Sequence, residues 1–110
     1  NGIPLLPGVF SPTDVSVCLS YGFHTLKLFP AADLPLQYIK SLKGPFPNTE
    51  FVAGGGVTPQ NTSIYLNSGF VGVGIGSSLV DKTLFREKNW TQITQNIRLF
   101  LDSLKEENLL

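Results

Sequence analysis

The chain has 110 residues, 42% of them apolar and 15% charged, with eight Lys and Arg balanced by eight Asp and Glu. That composition supports one small domain with a packed core; it excludes a disordered chain and the basic surface of a nucleic-acid binder. No apolar run approaches the roughly 20 residues of a membrane-spanning helix, and the lone Cys18 excludes an internal disulfide, which predicts a reducing, cytoplasmic setting.

In chain order, residues 3–6 read as a first apolar strand. A helix then opens at "SPTD": Ser11 caps, Pro12 takes the first helical position, and Asp14 stands where a capping box places its acid. Cys18 shares an apolar face with Val15 and Leu19, at spacings of three and four, and reads as a small hydrophobe. Residues 25–29 form the second strand. The next helix, residues 35–42, offers Leu36, Ile39 and Leu42 as its buried face and stops at Gly44-Pro45. Residues 51–53 form the third strand. The helix after it opens at "TPQN", with Thr58, Pro59 and Asn61 repeating the earlier punctuation. Residues 71–75 form the fourth strand. In the last helix Trp90, Ile93, Ile97, Leu101 and Leu104 recur every three or four residues, with polar residues between them. Four strand–helix pairs in alternation predict an α/β fold, a parallel sheet with helical crossovers.

Two segments echo each other. "SPTDVSVCLSYGF" and "TPQNTSIYLNSGF" overlay at an offset of 47 residues, pairing Pro12 with Pro59, Leu19 with Leu66, Gly22 with Gly69 and Phe23 with Phe70. The offset spans two strand–helix units, so the chain reads as two related blocks. It also carries Lys27 onto Gly74, placing both at equivalent strand ends, where parallel α/β folds bind ligands.

Lys27 sits inside an apolar run, "TLKLFP". Side chains alternate along a strand, so Thr25, Lys27 and Phe29 share one face and Leu26 and Leu28 the other. If the leucines pack under helices, Lys27 points across the sheet's opposite face. Desolvation there disfavours an ammonium, and a lysine held partly neutral attacks a carbonyl to form a Schiff base. The plainer alternative is a lysine that reaches water from a strand end or pairs with a carboxylate. The other five lysines lie in polar helical or loop settings.

"AGGGVTP" and "GIGSS" each set glycines at a strand's end. Glycines let backbone N–H groups approach an anion closely. Either stretch alone is equally a tight turn; together, Gly55, Gly56, Gly74, Gly76, Ser77 and Ser78 make a phosphate cup. His24 opens its strand, away from that end, and has no Cys or His at metal-ligand spacing, so no metal site is expected. Asp33 reads as a loop acid. No Walker loop, G-x-S-x-G elbow or complete dinucleotide fingerprint occurs.

The segments "LPGVFSPTD", "TLKLFPAA", "GPFPNTEFVAGGGVTPQN" and "GVGIGSSLV", in order over nearly the whole chain, resemble the C-terminal half of the 2-keto-3-deoxy-6-phosphogluconate (KDPG) and 4-hydroxy-2-oxoglutarate (KHG) aldolases. The resemblance implies a (β/α)8 TIM barrel, usually trimeric, that works by class I Schiff-base chemistry without metal or cofactor. Residues 1–110 would supply the last four βα units, a half-barrel, of one aldolase domain. The absence of methionine and the start at Asn1 add the expectation of a processed or partial polypeptide. The implied reaction cleaves a 2-keto-3-deoxy-6-phospho sugar acid, or 4-hydroxy-2-oxoglutarate, to pyruvate and an aldehyde. By position, Lys27 takes the Schiff-base role, and Phe29 and Gly54 line the keto acid. Gly55 with Gly56, and Gly76 with Ser77, take the phosphate. Gly54 stands where the family often has Thr, and Ala32-Asp33 where it often has Glu. The family's catalytic glutamate and substrate-binding arginine belong to its first four strands and have no counterpart here. A different reading keeps the cup without the chemistry: a non-catalytic phosphate-binding half-barrel or assembly module. A thiamin-phosphate synthase relative fits less well, because of the lysine within its strand.

Overall fold

The computed structural model describes residues 2–110. Its four strands are β1 (Gly8–Val9), β2 (Thr25–Leu28), β3 (Glu50–Gly54) and β4 (Gly72–Gly74), and its helices α1 (Pro12–Ser20), α2 (Tyr38–Lys43), α3 (Thr62–Asn67), α4 (Lys82–Arg86) and α5 (Trp90–Glu106). A 3-10 turn, Ala31–Asp33, follows β2. All pairings are parallel, in the order β1-β2-β3-β4. Every strand therefore lies beside its successor. That sequential winding is the order of a barrel wall; a doubly wound sheet reverses direction at a switch point.

The first strand falls later than the expected residues 3–6. Pro4 interrupts that run and Pro7 follows it, and neither offers an N–H to a ladder; Ile3 and Leu5 are exposed. Pairing starts where the prolines end: Gly8 lies opposite Lys27, and Lys27 N–H donates to the carbonyl of Pro7 at 2.8 Å. The other three strands stand where expected, within one residue at each end.

Alternation sorts the sheet's two faces. Leu26, Leu28, Phe51 and Ala53 are buried, and they form one core with Val15 of α1, Ile39 and Leu42 of α2, and Tyr65 of α3. Cys18 and Leu19 pack against its margin. The capping box forms as the sequence predicts: Asp14 N–H donates to Ser11 Oγ at 3.2 Å, and Ser11 N–H donates back to Asp14 Oδ2 at 2.9 Å. Helix α2 is shorter than expected. Residues 35–37 close as a turn, in which Tyr38 N–H reaches the carbonyl of Pro35, so Leu36 lies outside the helix and is exposed. The third helix starts at Thr62, four residues past the expected cap, because residues 58–61 make a closed turn of their own.

The internal echo is visible in the backbone. Gly22 and Gly69 both take positive φ, +85° and +109°. Phe23 N–H donates to the carbonyl of Cys18, and Phe70 N–H to that of Tyr65, which are equivalent bonds closing equivalent helices.

The last helix departs from its expected burial. Leu104 is buried and Ile93 and Ile97 are half-buried, but Trp90 and Leu101 are exposed. A bond from Ser63 Oγ to a Glu107 carboxylate oxygen, 2.6 Å, ties α3 to the end of α5. Helix α4 was not anticipated; five residues are too few for a periodic signal, and its determinant is local. Asp81 Oδ1 caps it by accepting from the N–H groups of Thr83 and Leu84. No helix among the described residues is long and apolar enough to cross a membrane.

Candidate active site

The site forms at the carboxyl ends of β2, β3 and β4. Because Leu26 and Leu28 are committed to the core, Lys27 and Phe29 emerge on the opposite face, the lysine half-buried and the ring half-exposed. Lys27 Nζ lies 5.2 Å from the centroid of the Phe29 ring, within reach of a cation–π contact. The aromatic face fixes one direction for an otherwise flexible chain.

The glycine run after β3 is shaped by the segment after β2. Gly55 and Gly56 both have positive φ, +87° and +75°. A Cβ on Gly55 would lie 2.8 Å from the Phe29 ring and 2.9 Å from Pro30 Cα, and one on Gly56 would run into Ala32 Cβ. Ala32 N–H donates to the carbonyl of Gly55 at 3.0 Å. "LKLFPAA" and "AGGG" are thus two halves of one packed unit. The register Lys27↔Val52 and Leu28↔Ala53 sets the lysine beside that glycine turn.

Two side chains brace the loops. Asn61 Oδ1 accepts from Thr58 N–H at 2.7 Å, and Asn61 Nδ2 donates to the carbonyl of Gly56 at 3.0 Å. Ser78 Oγ donates to the carbonyl of Val57 at 3.0 Å, joining the loop after β4 to the loop after β3. Among the described residues, the N–H groups of Gly56, Val57, Gly76 and Ser77 have no acceptor within the protein. They, with the exposed Ser77 hydroxyl, are the donors left for an anion.

A solvent-open cavity of about 490 Å³ collects these elements: Lys27 and Phe29 on one side, Gly55 to Thr58 at the base, Gly74 to Ser78 opposite. Among the described residues, Lys27 is the one charged side chain in its lining, and no carboxylate contributes. A lysine amine, an aromatic wall and converging amide donors suit a ligand with a carbonyl near one end and an anionic group at the other. The expected residues Lys27, Phe29, Gly55, Gly56, Gly76 and Ser77 all meet there. Gly54 is buried and lies beneath the Lys27 side chain, outside the lining. The bracing roles of Asn61 and Ser78 escaped the sequence. "TPQN" carried the signal for Asn61, but as helix punctuation; a loop-to-loop bond such as that of Ser78 has no local signature.

The remaining candidates lie elsewhere. His24 Nδ1 is 3.3 Å from the carbonyl of Asn48, at the opposite end of β2. Asp33 closes the 3-10 turn. No group of three or more His, Cys, Asp or Glu among the described residues is placed to hold a metal ion.

The sequence profile of the KDPG and KHG aldolases matches residues 1–96. The chain is 39% identical over 79 residues, 71% of its length, to the 2-dehydro-3-deoxy-6-phosphogalactonate aldolase of Escherichia coli K12, of which that match covers 38%. It is 32% identical over 103 residues, 93% of its length, to the 2-dehydro-3-deoxy-phosphogluconate aldolase of Haemophilus influenzae, of which it covers 49%. Among solved structures, the KDPG aldolase of Legionella pneumophila, with pyruvate captured as a covalent carbinolamine intermediate, superposes with a TM-score of 0.78 at 34% identity, covering 87% of this chain and 47% of that one. The chain spans no more than about half the length of these relatives.

Proposed function

The chain belongs to the KDPG and KHG aldolase family, and from that premise we propose that it carries the imine-forming half of a class I aldolase acting on a 2-keto-3-deoxy-6-phospho sugar acid or 4-hydroxy-2-oxoglutarate. Its free Lys27 amine attacks the C2 carbonyl to give a carbinolamine, which loses water to form an iminium. As the C4 hydroxyl gives up its proton, the C3–C4 bond breaks: its electron pair flows into the iminium to give an enamine, and C4 leaves as the aldehyde. Protonation of C3 and hydrolysis return pyruvate and the free amine. Phe29 walls the keto acid. The loops at Gly55-Gly56 and at Gly76-Ser77 bind the distal phosphate through their free N–H groups, with Ser77 adding its hydroxyl. Gly54 lies under the reacting chain.

The observation that carries this reading is Lys27 facing two glycine loops across one cavity that has no other charged residue in its lining. The proton transfers need a group that this lining does not include. The 110 residues by themselves are therefore expected to form the imine and to turn over little, as the C-terminal half of a barrel that works in full as a cytoplasmic homotrimer.

Incubation with pyruvate and borohydride tests the proposal. A stable adduct on Lys27, located by peptide mass, is expected; an unmodified Lys27 overturns the imine mechanism. Lys27→Arg keeps the charge and must abolish the adduct. If it instead preserves phosphate binding while the parent chain never traps pyruvate, the chain is a phosphate-binding module.

A further inference from the structure

The loop after β3 has its carbonyl groups engaged inside the protein. The carbonyl of Gly55 accepts from Ala32 N–H, that of Gly56 from Asn61 Nδ2 and that of Val57 from Ser78 Oγ, each at 3.0 Å. The carbonyl of Thr58 accepts from Thr62 N–H at 3.1 Å and from Thr62 Oγ1 at 2.7 Å, and Thr62 itself is fully buried. What the loop has left over is donors. Thr58 holds one of them. Its N–H goes to Asn61 Oδ1 at 2.7 Å, and its Oγ1 accepts from Asn61 N–H at 3.2 Å. A hydroxyl accepts and donates at once, so this capping duty does not occupy its proton. Among the described residues the Thr58 hydroxyl proton has no acceptor, although Thr58 is half-buried and lines the cavity.

We propose that the Thr58 hydroxyl is a direct ligand of the distal phosphate, and that through it the two loops favour a tetrahedral phosphomonoester over a planar carboxylate. The inference rests on the phosphate-binding reading of these loops and deepens it. With Thr58 included, the loop after β3 presents Gly56 N–H, Val57 N–H and a hydroxyl, and the loop after β4 presents Gly76 N–H, Ser77 N–H and a hydroxyl. A phosphomonoester splays its terminal oxygens as a tripod and can receive donors from both loops. A carboxylate holds both its oxygens in one plane. Engaged by one loop, it turns away from the other and leaves donors there unmet, which costs affinity.

The test follows the amide resonances of Gly56 and Gly76 in the isotope-labelled 110-residue chain during titration with methyl phosphate and, separately, with acetate. These probes are the two kinds of distal end without the keto acid. In the parent, methyl phosphate is expected to move both resonances and to bind about tenfold or more tightly than acetate. Thr58→Val is expected to weaken methyl phosphate by about tenfold, the loss of one hydrogen bond to a charged group, and acetate by less than about twofold. Thr58→Ser is expected to restore the parent's preference. Valine also removes the acceptor of the Asn61 N–H, so Thr58→Gly is the control: glycine at a cap costs little stability but carries no hydroxyl, and it must bind methyl phosphate as weakly as the valine variant. Pyruvate has no distal anion, and its trapping at Lys27 should proceed at the parent rate in all three variants. A glycine variant that binds like the parent, a serine variant no better than valine, a matching loss of pyruvate trapping, or a parent that holds acetate as firmly as methyl phosphate overturns the proposal. A parent in which methyl phosphate moves neither resonance sinks the phosphate cup itself, and trapping of pyruvate by that same parent would leave the imine reading standing.

Discussion

Ser78 Oγ donates to the carbonyl of Val57 across 3.0 Å, so the loop after β4 hangs on the loop after β3 by a single side chain. Its neighbour Ser77 is exposed and faces the cavity. Two adjacent serines therefore hold different duties. Ser78→Ala is expected to cost about 1 kcal/mol of stability and to weaken phosphate binding indirectly. Ser77→Ala should leave the unfolding midpoint in place and weaken phosphate binding alone. Urea unfolding and phosphate titration calorimetry on the two variants check the division.

Gly55 has the more demanding backbone. A Cβ there would meet Pro30 Cα at 2.9 Å, a contact with main chain that cannot rotate away, at a φ of +87°. Gly55→Ala is expected to destabilise the chain by about 2 kcal/mol or more. Gly22→Ala, with φ +85° but open space around the added carbon, should cost only about 1 kcal/mol. Thermal denaturation of both variants measures the difference, which belongs to packing and not to φ.

The Asn61 carboxamide holds the loop after β3 at both ends, accepting from Thr58 N–H and donating to the carbonyl of Gly56. Asn61→Asp keeps the acceptor and loses the donor, and adds a negative charge beside the anion loop. Phosphate affinity is expected to fall by roughly tenfold, the equivalent of about 1.4 kcal/mol. Asn61→Ala should weaken binding less, while losing more stability. Opposite rankings in calorimetry and in unfolding are the sign to look for.

The capping box gives a pH dependence. The N–H groups of Ser11 and Phe10, and then the Ser11 hydroxyl, hold the Asp14 carboxyl below the ordinary aspartate range. A depressed carboxylate contributes stability that is fully present above its unfolded value, about 3.9, and lost as pH falls through its folded one. The stability advantage of the parent over Asp14→Asn is therefore expected to be constant near neutrality and to shrink below about pH 4. A pH series of urea unfolding curves that runs in parallel for the two proteins down to the most acidic point rules this out.

Much of this architecture could be read in advance. Alternation in "TLKL" gave the side of the sheet that Lys27 takes, and the 47-residue echo put Lys27 and Gly74 at equivalent strand ends, although the register sets Lys27 level with Gly72. The capping box at Ser11 formed as written. The failures have physical causes. The apolar run at residues 3–6 had strand composition, but its prolines could not supply the ladder. Leu36 kept the helical spacing of Ile39 and Leu42, yet the turn after Pro35 placed it before the helix began. In α5 a regular apolar stripe promised a buried face, and only Leu104 found one. Periodicity reports which side chains share a face; it does not report whether that face is covered. The packing of Gly54 against Lys27 was out of reach for another reason: close approach between residues 27 apart in sequence depends on strand register, which no local pattern encodes.

The parallel register also works as a ruler. The amine stands on β2, the first glycine loop follows β3 and the second follows β4. Neighbouring strands lie about 4.8 Å apart, so the two loops proposed to bind phosphate fall at about one and two such steps from the amine. A keto acid with no distal anion leaves both loops empty, whereas the phosphate of a six-carbon ester reaches far enough to meet both. Affinity should accordingly climb in a stepped rather than smooth fashion as the ligand chain is lengthened.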